Sequence, residues 1–231
     1  DLPGSQLEFL QAVYETGTPV VLVIQGGRPV TANWEQAHIP AILEAWLSGE
    51  QGGPAIAEIL FGDATPSGRL PMTFPRSVGQ IPCHYSRLPG GGWRYVEMDW
   101  MPLYPFGYGL SYTRFRYDNL SLSAETIRPG EPLEVSFDVT NIGDREGTDV
   151  PQVYIRDCFS STVKPVRELA AFTRVTLQPG ETRRVTVTVS PRRMRTLGPD
   201  YVWRVEPGEF RIMVGSNAAD TQLEGGFTAA E

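Results

Sequence analysis

The sequence predicts two parts of different class: an α/β part over residues 1–101 and an all-β part, a β-sandwich, over residues 116–231. Three observations predict it. Helix-spaced apolar residues and short β-branched runs alternate in the first part. Strict period-two alternation dominates the last part. Between them lies PLYPFGYGLSYTRF at 102–115, a boundary that reads as stiff. Pro102 and Pro105 fix φ, and Gly107 and Gly109 can take angles closed to other residues. Its rings, Tyr104, Phe106 and Tyr108 among them, are too apolar to trail in water as a Gly/Ser spacer would.

In the first part, Leu2-Pro3-Gly4-Ser5 reads as a turn with Ser5 as helix cap. Leu7, Leu10, Val13 and Tyr14 recur at helical spacing, which predicts a helix over about 6–15 ended by Gly17. VVLVI at 20–24 reads as a strand buried on both faces. Residues 34–39 read as a short helix stopped by Pro40. AILEAW at 41–46 is too short for a typical helix and reads as a second strand. Pro54 opens a further helix with Ile56, Ile59 and Leu60 on its buried face. Residues 69–74 read as a last short strand. This order is that of a parallel sheet, which places ligands beyond the carboxyl ends of its strands. The loops there are IQGGRP at 24–29 and SGEQGG at 48–53. Neither matches a dinucleotide or P-loop fingerprint, so they read as tight turns.

In the last part LEVSFDV at 133–139, RRVTVTV at 183–189 and EFRIMVG at 209–215 alternate cleanly. DVPQVYIRD, ELAAFTRVTL and DYVWRV supply further strands. Pro-Gly-Glu occurs in the segments 127–132, 177–182 and 205–210, each time a type II turn signature. About seven strands in this span argue for a sandwich, and a Cys-Trp-Cys arrangement is missing.

Charge narrows the partners. The net is −7, divided as −5 for residues 1–110 and −2 for the rest, so neither nucleic acid nor an anionic membrane suits either half. The arginines at 183, 184, 192, 193 and 195 read as a solvated face, and the sole lysine, Lys164, as codon bias. The longest aliphatic run, Val20–Ile24, is far too short to cross a bilayer. Cys83 and Cys158 form neither a metal motif nor a disulfide framework and read as free buried thiols. His38 and His84 have no partner pattern and read as structural. Glu97 and Asp99 would share one face of a strand. A carboxylate pair suits general acid/base work, but neighbouring surface acids are common and this pair is not assigned that work.

PLYPFGYGLSYTRF closely resembles the domain junction of glycoside hydrolase family 3 enzymes of the β-glucosidase and β-xylosidase type. DLPG at 1–4, TPVVLVIQGGRPV at 18–30, the run 41–82 and VTNIGDREGTDVPQVYIRD at 139–157 carry the same resemblance, which covers essentially the whole chain. It implies that 1–101 is the C-terminal part of an α/β sandwich domain, that 102–115 is a connector, and that 116–231 is a fibronectin type III-like domain. It also implies a retaining, exo-acting β-glycosidase, with β-glucosidase the leading expectation and a non-catalytic carbohydrate-binding or assembly module the alternative. In the family the nucleophilic aspartate belongs to an N-terminal (β/α)8 barrel and the acid/base glutamate falls just upstream of DLPG. The expectation is therefore no catalytic residue, no metal and no cofactor in this chain, and no hydrolysis by it alone. The expected partners are that barrel portion and a β-glucoside or related oligosaccharide, with homo-oligomerisation left open.

Aromatic rings suit sugars because their faces pack on axial C–H bonds. The segment CHYSRLPGGGWRYVEMDWM at 83–101 is a variable excursion in the family; interface packing is its leading reading, and Trp93 and Arg94 are its candidates for bordering an outer sugar subsite. Trp100 is a further aromatic for the binding-module alternative. The connector's rings carry a sugar platform as their second reading, after packing.

Overall fold

The computed structural model describes residues 1–90 and 96–230. The chain divides into two compact units. One holds Asp1–Ala64, Met72–Cys83 and the described residues up to Tyr104; the other holds Thr65–Pro71, His84 to Gly90, and Pro105 onward.

The first unit is α/β. Helix α1 (Gln6–Glu15) has the expected span, and Gly17 at φ 76 ends it. Ser5 does not cap it through its side chain: with ψ 18 its backbone is not in the extended form that aims a hydroxyl at the helix N–H groups. Strand β1 (Val21–Ile24) and strand β2 (Ala41–Glu44) pair in parallel, Val21 opposite Ala41 and Ile24 opposite Glu44. Between them runs α2 (Asn33–His38), where Tyr14 packs edge-on against Trp34 and His38, and His38 stacks on Trp34 at 4.5 Å. His38 is thus a packed ring, as expected.

Burial in this unit falls short of expectation. Strand β1 buries Ile24 but leaves Val21 half in solvent, because among the described residues β2 is its only neighbour. Helix α3 (Gly52–Phe61) leaves Leu60 exposed, and Ile56, Ala57 and Ile59 are only partly covered. Its core is small: Ile24, Val30, Ala32 and Leu103. Residues 69–74 do not form the expected strand. Leu70 bonds to the backbone at 107–108 and Phe74 to Tyr104, but Pro71 between them has no N–H to donate, so the ladder breaks.

The second unit is a β-sandwich. One sheet runs β4 (Thr126–Ile127), β14 (Thr221–Ala229), β13 (Gly208–Gly215), β7 (Gln152–Asp157), β8 (Glu168–Phe172). The other runs β10 (Thr182–Val189), β5 (Leu133–Asn141), β3 (Phe115–Leu122). Two small ribbons flank them, β6 (Gly147–Asp149) with β9 (Val175–Leu177), and β11 (Thr196–Leu197) with β12 (Trp203–Arg204). A single turn, α4 (Pro191–Met194), precedes β11. Alternation does the folding: Leu133, Val135, Phe137 and Val139 of β5 are fully buried against Val153, Phe210, Ile212 and Val214.

Two of the three Pro-Gly-Glu turns form as expected. Gly130 and Gly180 have φ 94 and 74, and the N–H groups of Glu131 and Glu181 close the turns on Arg128 and Gln178. Each glutamate then accepts the N–H of the first turn residue, at 2.9 and 2.8 Å. Gly208 differs: its φ of 151 is far from the roughly 80° a type II turn needs, because it already enters β13.

The connector divides at Tyr104. Leu103 and Tyr104 belong to the first unit's core, whereas Phe106 stacks on Tyr85 at 4.3 Å in the second. Gly107 is required: at φ 81 an added Cβ would lie 2.1 Å from Gln152 Oε1. Gln152 is held there by donating to the carbonyls of Gly107 and Ser216 and accepting from Tyr154.

Candidate functional site

In the first unit the ligand-facing position of a parallel sheet is the carboxyl end of β1 and β2. There the two glycine loops meet. Gln25 Nε2 donates to Ser48 Oγ at 3.1 Å, and Ala45 N–H donates to the Ile24 carbonyl at 2.8 Å. Gly52 has no room for a side chain, since a Cβ would sit 2.4 Å from Ser48 Oγ. Gly52 therefore serves close approach of chain segments, whereas an added Cβ at Gly26, Gly49 or Gly53 would meet open space.

Glu44 ends β2 at this point. Its Oε1 accepts the Trp46 N–H at 3.2 Å, while Oε2 is shielded from solvent with no hydrogen-bond partner among the described residues. Burial pushes its carboxyl above the ordinary range, and the Trp46 N–H opposes that only in part. Trp46 holds φ 52, uncommon for a bulky residue, and sets its indole edge-on to Phe74, which in turn meets Tyr104. A carboxyl and a fixed indole are groups that can hold a hydroxyl-bearing ligand. One carboxyl alone cannot perform two-carboxyl hydrolysis. Sequence reading placed Glu44 and Trp46 inside a strand. Their position at the strand's carboxyl end was the signal that could have singled them out.

Trp93 and Arg94 lie outside the described residues. The chain on either side is held by buried Gln80. It accepts the Arg76 N–H at 2.6 Å and donates to the carbonyls of Asp99 and Trp100 at 3.4 and 3.3 Å. Arg76 Nε donates to the Met101 carbonyl at 3.1 Å. Glu97 is exposed, and Asp99 Oδ1 takes the Met101 N–H, so this pair is turn chemistry.

In the sandwich, buried Asp149 accepts from Arg69 Nη2 at 2.6 Å and from the Tyr117 hydroxyl at 2.5 Å. Burial first, and then the Asp149 charge, hold the Tyr117 phenol well above its usual range. This triad ties residues 65–71 to the sandwich and leaves the shielded Arg69 Nε without a partner among the described residues. A groove of about 380 Å³ runs between the edge strands β8 and β10, lined by residues 169–173, Val187, Thr188 and Arg193, with no acid among them. Cys83 and Cys158 are free thiols, half-buried rather than buried. Among the described residues there is no cluster of three metal-ligating side chains and no helix long and apolar enough to cross a membrane.

An α/β unit and a β-sandwich with this order of elements define a class, and the comparisons place it. The glycosyl hydrolase family 3 C-terminal domain matches residues 1–112, and the fibronectin type III-like domain matches residues 149–218. The chain belongs to glycosyl hydrolase family 3, of which it is a C-terminal portion. It is 41% identical to a periplasmic β-glucosidase of Salmonella typhimurium over 94% of its length and 30% of that protein's. It is 40% identical to a β-xylosidase of Formosa agariphila, covering 97% of itself and 32% of the relative. The crystal structure of a Listeria innocua β-glucosidase in complex with glucose matches 100% of the chain with a TM-score of 0.94 and 33% identity. The chain covers 33% of that structure, and so spans about a third of the length of the proteins it resembles.

Proposed function

We propose that the chain is the scaffold and pocket-wall portion of a retaining, exo-acting β-glycosidase that removes β-linked sugars, glucose foremost, from non-reducing ends. The carrying observation is the full-length match to a glucose-bound β-glucosidase by a chain that amounts to a third of it. On this reading an upstream aspartate attacks the anomeric carbon. An upstream glutamate protonates the leaving oxygen and then activates water. The upstream portion, a (β/α)8 barrel, is the partner, and a β-glucoside or related oligosaccharide is the substrate. Residues 1–101 complete the α/β domain, 102–115 connect, and 116–231 form the fibronectin type III-like domain. Glu44 and Trp46 stand at the strand ends, and Trp93 and Arg94 border an outer subsite. The test is turnover of p-nitrophenyl β-glucoside. The purified chain is expected to give none, and addition of the upstream portion is expected to produce it.

The alternative, a carbohydrate-binding or assembly module, is favoured by one observation: Phe159, Tyr201 and Trp203 are exposed on the sandwich unit.

A further inference from the structure

The carboxyl end of β1 and β2 is left unfinished in two ways. The first is charge. Glu44 Oε2 is shielded from solvent and has no hydrogen-bond partner among the described residues. Burial and the Trp46 N–H are what act on the carboxyl, and no neighbouring cation does. Shielded carboxylates are ordinarily paired, because an unpaired charge is costly to take out of water. The Trp46 N–H gives Oε1 one bond at 3.2 Å and leaves the charge uncompensated. Turning the carboxyl outward would give up that bond.

The second is apolar. Leu47 follows the same turn, and 81% of its area is in solvent. It stands at this end of the sheet: an added Cβ on Gly27, in the loop after β1, would lie 3.5 Å from Leu47 Cδ1. The segment that carries it is tied down. Ser48 accepts from Gln25 of that same loop, and the Ala45 N–H bonds to the Ile24 carbonyl. Leu47 is thus exposed on fixed backbone rather than on a free tail.

We infer that this strand end is a docking surface for the upstream portion of the enzyme, which seats a basic side chain on Glu44 Oε2 and covers Leu47. The docking surface presupposes the longer glycosidase proposed above and names one of its contacts. Three observations choose the occupant. The chain spans about a third of the length of its relatives, so a large protein partner is at hand. A shielded carboxylate calls for a cation, which a neutral saccharide does not offer, and residues 1–110 are net −5, the complement of a basic partner. An exposed leucine calls for an apolar neighbour, which a free ion does not offer.

The test sets two substitutions in two backgrounds, the 231-residue chain and the full-length enzyme, and reads the thermal midpoint of the α/β unit at neutral pH. In the chain Glu44→Gln should raise it, because an unpaired charge is removed. In the full-length enzyme the same near-isosteric change should lower it by about 2 °C or more, because a basic group then loses its counter-ion. Leu47→Ala should leave the chain's midpoint unchanged and lower that of the full-length enzyme. In the full-length enzyme, a rise or no change with Glu44→Gln, or no loss with Leu47→Ala, overturns the inference. So does a glucose-induced rise in the chain's midpoint that Glu44→Gln abolishes, since the occupant would then be a ligand. Turnover of p-nitrophenyl β-glucoside is read separately. Its absence from the full-length enzyme would sink the hydrolase reading and leave the midpoints to decide this one.

Discussion

The two units of this chain treat apolar side chains in opposite ways. In the sandwich Phe137 is fully buried and its strand neighbours alternate in and out without error. In the α/β unit Phe61 is 84% exposed and Leu47 81%, although both stand in or beside well-formed elements. Secondary structure can thus be complete where a core is not. The sandwich closes its two sheets on each other. Among the described residues the α/β unit has a two-stranded sheet, which is too small to bury a core of its own.

The largest expected effect that could break this contrast comes from paired truncations. Phe137→Ala should cost about 3–5 kcal/mol of sandwich stability, and Phe61→Ala should stay within about 0.5 kcal/mol, both read by urea unfolding. A Phe61 cost comparable to that of Phe137 would refute the contrast. Arg69→Ala comes next. It leaves Asp149 buried without its counter-ion, held by the Tyr117 hydroxyl alone, and should cost about 3 kcal/mol, much of it recovered in the Arg69→Ala, Asp149→Leu double variant. A smaller loss, about 1–3 kcal/mol, is expected for Gly107→Ala, where backbone strain and the meeting with Gln152 combine. Gly180→Ala, with open space around it, should cost only the turn strain, about 1 kcal/mol.

The subtlest effect lies in the α/β unit. Glu44 has a raised folded-state pKa, so the folded state holds its proton more tightly than the unfolded chain does. Its ionisation therefore penalises folding once pH rises from the ordinary carboxylate range through the raised value, and costs nothing below that range. Glu44→Gln should raise the α/β unit's thermal midpoint at neutral pH and leave it unchanged in acid. An equal rise at both would contradict the desolvation account.

What the residues disclosed follows the same division. Period-two alternation made β5 and β10 legible, since each buries one face, and β13 through its first half, before Met213 joins Ile212 and Val214 in being buried. Strand β3 was not read because its register shifts between Asp118 and Ser121, with Asn119 at φ 56, and the bulge interrupts the alternation. Strand β14 was hidden by Gly225 and Gly226, yet Gly225 is inward-facing and small for a reason: a Cβ there would press on Leu120 at 3.1 Å. Residues 69–74 looked like a strand because their apolar content was weighed above Pro71. The site was harder. Glu44 and Trp46 owe their character to a backbone turn at φ 52, which leaves no periodic trace.

The central claim is that the reacting carboxylates belong to a segment upstream of these residues. The most direct measurement is covalent trapping with a 2-deoxy-2-fluoro-β-glucoside, which arrests a retaining enzyme as its glycosyl adduct, followed by intact mass and peptide mapping. The purified chain is expected to keep its mass, and in the longer enzyme the adduct should map outside these 231 residues. A glycosyl adduct on any aspartate or glutamate of this chain would contradict the account.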